Sequence, residues 1–321
     1  MKSQGNDIDR RVSLVRLLGI DDLLAAPRSP LSAETLWVRT FDFGRVEKVR
    51  VQESNSATLQ LCNFATFLYI CHPLDAPPAP RPVFLCLQGH STGMHKSIGV
   101  DWQDETTRLD IPGDRDFAIG CLKRGISAVC IEQRAMGENS GNADRRPGCF
   151  VPAMHALLAG RTLLGLRVYD VDRVIDYLET RPDIDLSRLG IMGNSGGGTT
   201  SMFAAPLLPR ITHAMPSCAF SSFHASIGAM EHCSCNYVPG LYDWGESADV
   251  LALAAPKPVV VVNGRHDPIF PLAAANAEFE RLHAAYAAQG AADRCVHVVG
   301  EGEHRFYADP AWEAMLPLWN S

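Results

Sequence analysis

A serine flanked by small residues stands at Gly193-Asn194-Ser195-Gly196-Gly197, between an apolar strand pattern ending near Met192 and a helix that opens on three glycines. In a strand, tight turn, helix setting, such a serine is held with its hydroxyl exposed, and the glycines let strand and helix approach closely. A serine hydroxyl is a weak nucleophile at neutral pH, so this chemistry needs a base and a group to orient the base. Asp267 in VVVVNGRHDPIFP and His304 in VHVVGEGEHRF each stand just past an apolar strand pattern. Singly, Ser195 reads as a helix cap, Asp267 as an Asp-Pro turn and His304 as a surface histidine. Together they follow the order nucleophile, acid, histidine, each after a later strand, and loops at the carboxyl ends of parallel strands converge on one crevice.

A second Gly-x-Ser-x-Gly, Gly89-His90-Ser91-Thr92-Gly93, also follows an apolar strand. Only Ser195 is reached after two earlier strand and helix units, which places it centrally in a sheet. Ser91 is followed by the polar stretch MHKSIGVDWQDETTRLDIPGD rather than a helix pattern, so its loop suits a donor of backbone N–H groups better than a nucleophile. His266 is the rival base and Glu301 and Glu303 the rival acids. His266 precedes the acid position, and both glutamates share the histidine's own loop. The remaining histidines, including His155, His213, His224, His232, His283 and His297, read as packing or surface residues.

The elements that must position these groups are legible as short apolar runs alternating with helical patterns from Val83 onward. PVFLCLQ, ISAVCIEQ, RLGIMG, ITHAMPSC, PKPVVVVNG and CVHVVG read as strands. Helices are expected near Asp116 to Arg124, across RTLLGLRVYDVDRVIDYLETRP, from SGGGTTSMFAA, and from Leu272 to Gln289. In the second of these, Leu163, Leu166, Val171, Val174, Ile175 and Leu178 form one stripe and Pro182 ends the pattern. Continuous apolar strands separated by helices predict a doubly wound α/β fold with a mostly parallel sheet. Residues 1–80 read as an N-terminal extension: a short helix in VSLVRLLGIDDLLA, then a hairpin from Glu47 to Gln52 and Thr58 to Cys71. The Pro-rich PLDAPPAPRP is a stiff surface loop, so 1–321 reads as a single domain with its catalytic core at 81–321.

The 321 residues are 46% hydrophobic and 20% charged, too apolar for a disordered chain. With 29 Lys and Arg against 36 Asp and Glu the net charge is −7, which disfavours nucleic acid or an anionic membrane as partner. No run approaches the roughly 18 apolar residues of a membrane span, and MKSQGNDIDRRV lacks the apolar core of a secretory signal. A cytoplasmic protein acting on a small molecule is expected, with a homo-oligomer left open. Ten cysteines are present, and Cys62, Cys71, Cys86, Cys121, Cys130, Cys149, Cys218 and Cys295 are scattered, several in apolar runs, as buried free thiols would be. Cys233 and Cys235, beside His232, are the one close pair. A structural zinc wants four ligands, usually as two pairs, and no second Cys/His pair of that spacing exists. A structural turn or a disulfide is therefore expected there, with no metal and no cofactor.

The segments LCLQGH, EQRAMGENSG, GRTLLGLRVYD, MGNSGGGTT, HCSCNYVPGL, HDPIFP and EGEHRF together resemble α/β-hydrolases of the acetyl xylan esterase and dienelactone hydrolase-like group. The resemblance covers residues 80–310. It implies Ser195 as nucleophile, Asp267 as acid, His304 as base, and an oxyanion hole from the backbone N–H groups of Gly196 and His90. The chain departs from the group's common His-Gly at Gln88-Gly89, and it carries serine where dienelactone hydrolases proper carry cysteine. That favours hydrolysis of short-chain acyl esters, acetyl above all, with a large, carbohydrate-like alcohol part. A serine peptidase or amidase on the same fold, and a catalytically silent binding module, are the competing readings. Trp102, Phe223, Tyr237, Tyr242 and Trp244 are candidates for the rim of the site.

Overall fold

A computed structural model describes residues 2–54, 63–74 and 79–321, with side chains from Asp7 onward. The chain opens with α1 (Lys2–Leu18) and α2 (Asp21–Ala25), then lays down β1 (Leu31–Phe41), β2 (Gly44–Glu53) and β3 (Ala65–His72). Strands and helices then alternate: β4 (Arg81–Leu87), α3 (Phe117–Leu122), β5 (Ser127–Ile131), α4 (Phe150–Leu158), α5 (Leu163–Leu178), β6 (Ile184–Asn194) and α6 (Gly196–Leu207). The last part comprises β7 (His213–Ser217), α7 (Leu241–Trp244), α8 (Ser247–Ala252), β8 (Val259–Gly264), α9 (Leu272–Ala288), β9 (Cys295–Gly300) and α10 (Ala308–Trp319).

All nine strands join one sheet in the order β1-β2-β3-β5-β4-β6-β7-β8-β9. β1 to β3 pair antiparallel and β3 meets β5 antiparallel, while every pair from β5 to β9 is parallel. The doubly wound, mostly parallel sheet anticipated from the alternating runs is the architecture found. Why the runs are continuously apolar is visible strand by strand. Along β4, Val83, Leu85 and Leu87 enter the core on one face of the sheet while Phe84 and Cys86 enter the core on the other. Val259 and Val261 of β8 divide from Val260 and Val262 in the same way.

β2 and β3 form the expected antiparallel pair; residues 58–62 of the anticipated second strand, and residues 75–78 of the Pro-rich loop, lie outside the described residues. β1 and α10 were not anticipated. β1 is an edge strand, exposed on one face and half-buried at Trp37, Arg39 and Phe41 on the other; the consecutive Leu36, Trp37 and Val38 blur its alternation, and its register shifts between Thr35 and Trp37. α5 also differs from the single stripe expected, because its polar face is buried too. Asp170 receives Arg134 at 2.6 Å, and Asp172 receives Arg28 and Arg210, each at 2.5 Å. Charges at those depths are tolerated because each is paired.

The antiparallel strands are fastened to the parallel sheet's loops by one buried polar knot. Glu105 accepts from Trp37 of β1 at 2.9 Å, Lys48 of β2 at 2.7 Å and Tyr69 of β3 at 2.6 Å. Lys48 also reaches Glu138 at 2.7 Å.

Candidate active site

Ser195 sits between β6 and α6 with φ 57° and ψ −123°, a conformation that a residue with a side chain adopts only when its surroundings enforce it. The enforcement is packing. A Cβ on Gly197 would lie 2.0 Å from the Leu87 carbonyl oxygen of β4, and one on Gly198 would lie 2.4 Å from that of Ser217 in β7. Small residues are therefore required for α6 to start this close to the sheet. The Ser195 N–H donates to the Ser217 carbonyl at 2.9 Å, and the Asn194 side chain accepts from the Ser217 hydroxyl at 2.9 Å.

His304, four residues past β9, donates through Nδ1–H to Asp267 Oδ2 at 2.8 Å, leaving Nε2 as the ring's acceptor. Asp267, three residues past β8, is buried, and its Oδ1 accepts the N–H groups of Ile269 at 2.8 Å and Phe270 at 3.1 Å. Burial pushes its carboxyl upward, but the His304 bond and these backbone donors outweigh it and hold the group below the usual carboxylate range. The Phe270 ring stacks over His304 with centroids 5.9 Å apart.

Ser195 and His304 line one cavity of about 290 Å³, together with Gly89, His90, Arg115, Asn194, Glu231, His232, Cys233, Asn236, Ile269 and Phe270. No Ser195 to His304 hydrogen bond is present, a bond that tightens in many such sites only with substrate. His90 and Gly196 border the serine. A Cβ on Gly89 would meet Asn194 O at 2.7 Å and Ser195 Cβ at 2.9 Å, so the His90 loop runs directly over the turn. Neither the His90 nor the Gly196 N–H donates within the backbone network, and Gly196 opens α6, where first-turn donors are free.

Ser91, the serine of the second motif, does not line the cavity; its hydroxyl turns back to the Gly93 N–H at 3.4 Å, and a short 3₁₀ helix, Met94–Ile98, follows. The rivals stand outside as well. His266 is exposed, and Glu301 pairs with Arg265 at 2.7 Å. Of the aromatics considered for the rim, Phe223, Tyr237 and Tyr242 line a neighbouring groove that shares only Asn236 with the cavity. Trp244 instead packs under Arg10 and donates to Ser13 of α1, and Trp102 stacks with Arg145. Arg115, Glu231 and Asn236, which no motif marks, line the wall too, as does His232, expected only as a packing or surface residue.

Glu132, just past β5, supports the His90 loop from behind. Its carboxylate is buried and accepts the N–H groups of Met94 at 3.2 Å and Glu138 at 3.3 Å. Burial pushes its pKa up to about 8 despite those donors.

This sheet order, with a strained serine between a central strand and its helix, is the α/β-hydrolase fold. No family model matches the chain. The Bacillus subtilis (strain 168) protein YtaP, named as a hydrolase, is 28% identical over 301 residues, which is 93% of each chain. A Bacteroides fragilis structure named as an acetyl xylan esterase superposes with TM-score 0.71 at 17% identity, covering 95% of this chain and 76% of that one. A glucuronoyl esterase from Solibacter usitatus superposes with TM-score 0.63 at 16% identity, over 92% of this chain and 87% of the other.

Proposed function

We propose that the protein is a serine ester hydrolase acting on short-chain acyl esters, with acetyl groups on a hydroxyl-rich, carbohydrate-like alcohol the favoured class. One observation carries the reading: a serine on a strained turn shares a small cavity with a histidine whose other nitrogen is held by a buried carboxylate. In this reading Ser195 attacks the ester carbonyl as His304 Nε2 takes its proton, and Asp267 stabilises the imidazolium. The N–H groups of Gly196 and His90 receive the developing oxyanion. His304 then protonates the leaving alcohol, and water, activated by the same imidazole, releases the acyl group. The likeness to proteins named as hydrolases and carbohydrate esterases supports the reaction class. A cavity of this size, walled by Arg115, Glu231, His232 and Asn236, supports a small acyl group and a polar alcohol.

The test has two arms. A fluorophosphonate probe should label the wild type and Ser91→Ala but not Ser195→Ala, and Ser195→Ala should lose on the order of 10⁶ in kcat. On aryl esters, kcat/KM should fall steeply from acetyl to octanoyl, since each methylene a pocket must reject is worth roughly 1–3 kcal/mol. Labelling at Ser91, or none at all, refutes the site; a preference rising toward octanoyl refutes the substrate class, and amide hydrolysis at comparable kcat/KM moves the assignment to a peptidase.

A further inference from the structure

Next to the cavity lies a second constellation whose side chains ester hydrolysis does not use. His90, Cys149, Cys233 and Cys235 each offer one ligand atom, and these four atoms lie within 4.8 Å of one another. His90 Nε2 is 3.2 Å from Cys235 Sγ, and Cys235 Sγ is 3.4 Å from Cys233 Sγ. Around a tetrahedral zinc with bonds of about 2.3 Å to sulfur and 2.0–2.1 Å to nitrogen, ligand atoms stand roughly 3.5–3.8 Å apart. The two shortest contacts, 3.2 and 3.4 Å, fall just below that range and all four atoms stay within 4.8 Å, close enough for one ion to draw them into such a cage.

We propose that these four residues form a structural Cys₃His zinc site. Cys233 and Cys235 lack a second Cys/His pair nearby in sequence, and His232 beside them bonds Ser226 instead, at 3.1 Å. The fold supplies the two missing ligands from elsewhere: His90 from the loop after β4 and Cys149 from the residue before α4. The surroundings suit a closed site. Cys149 and Cys235 are buried against Ala135, Ala153 and Leu163, while His90 and Cys233 border the cavity. The buried Arg167 guanidinium donates to Cys149 Sγ at 3.2 Å and is itself anchored on the Arg134 carbonyl at 2.8 and 3.0 Å. Three thiolates, one divalent ion and this guanidinium sum to zero net charge, which is how a buried ionic cluster is made tolerable. Three sulfurs and one imidazole in tetrahedral array select zinc over the hard, oxygen-seeking cations. The ion would tie the loop carrying His90 to the turn at 233–235, both of which contribute to the cavity lining, without touching substrate.

The site is testable on the intact chain by metal content, independently of any catalytic assay. Protein purified under reducing conditions without chelator should hold about one zinc per chain, released when its thiols are mercurated. Replacing that zinc with cobalt should give the thiolate-to-metal charge-transfer band and intense visible bands of a tetrahedral sulfur-rich site. Cys149→Ser and Cys235→Ser should each weaken cobalt binding by at least about tenfold, and Cys295→Ser, a buried thiol remote from the cluster, should not. Wild-type protein that holds no zinc and shows no charge-transfer band at saturating cobalt overturns the proposal without reliance on any variant. A disulfide among Cys149, Cys233 and Cys235 that survives in the reduced, folded protein overturns it as well.

Discussion

The proposed base is oriented by a single bond, His304 Nδ1 to Asp267, and Asp267 is itself fixed by two backbone N–H groups. Asp267→Asn keeps the shape but offers the imidazole an amide that can donate, which favours the wrong tautomer. We expect a loss in kcat on the order of 10⁴ with an unchanged melting temperature. Steady-state kinetics beside a thermal melt would check it; near wild-type turnover would mean that another group orients the histidine. Ser195, Asp267 and His304 are legible in the sequence because each directly follows its own apolar strand, and a parallel sheet brings such strand ends together. Arg115, Glu231, Asn236 and the pairing of His90 with Cys149 are not legible there. They come from loops whose convergence depends on strand order, and no local spacing marks them.

At the scale of elements, strands buried on both faces declare themselves as unbroken apolar runs, which is why β4 to β9 were readable. β1, half-buried on one face only and with apolar residues on both, offered no clean pattern, and the polar face of α5 read as solvent-facing because ion pairs across the fold are invisible in one segment. The loop between β4 and α3 shows what such hidden contacts do. Glu132 grips it through Met94 and has its pKa raised to about 8 by burial. The folded state then holds a proton that the unfolded chain releases above its ordinary value of 4.5. Its contribution to stability is full below that value and is lost as pH rises through about 8. Glu132→Gln removes this titration, so the melting temperature of the variant relative to wild type should climb between those two pH values. Melts across that range would show it, and parallel curves for the two proteins would disprove it.

Over the whole molecule, the Glu105 knot joins the three antiparallel strands to the loops of the parallel sheet. Lys48 is its cation, buried between Glu105 and Glu138. Lys48→Met keeps the volume but leaves Glu105 with no cation and Glu138 with only Arg145, 3.4 Å away, and breaking a buried pair in this way costs about 3–5 kcal/mol. Urea unfolding followed by far-UV circular dichroism should register that loss; a change below about 1 kcal/mol would show that water already reaches the knot. The strand at the end of this assembly has a different significance. β1 presents an open row of backbone donors and acceptors, the kind of template on which extended chains stack into fibrils. Its register breaks between Thr35 and Trp37, and Arg39 lies over the Trp37 ring at 4.4 Å, so an incoming strand meets an irregular border carrying a charged guanidinium where it would need a flat, even one. The same irregularity that hid β1 from the sequence guards the sheet against uncontrolled growth.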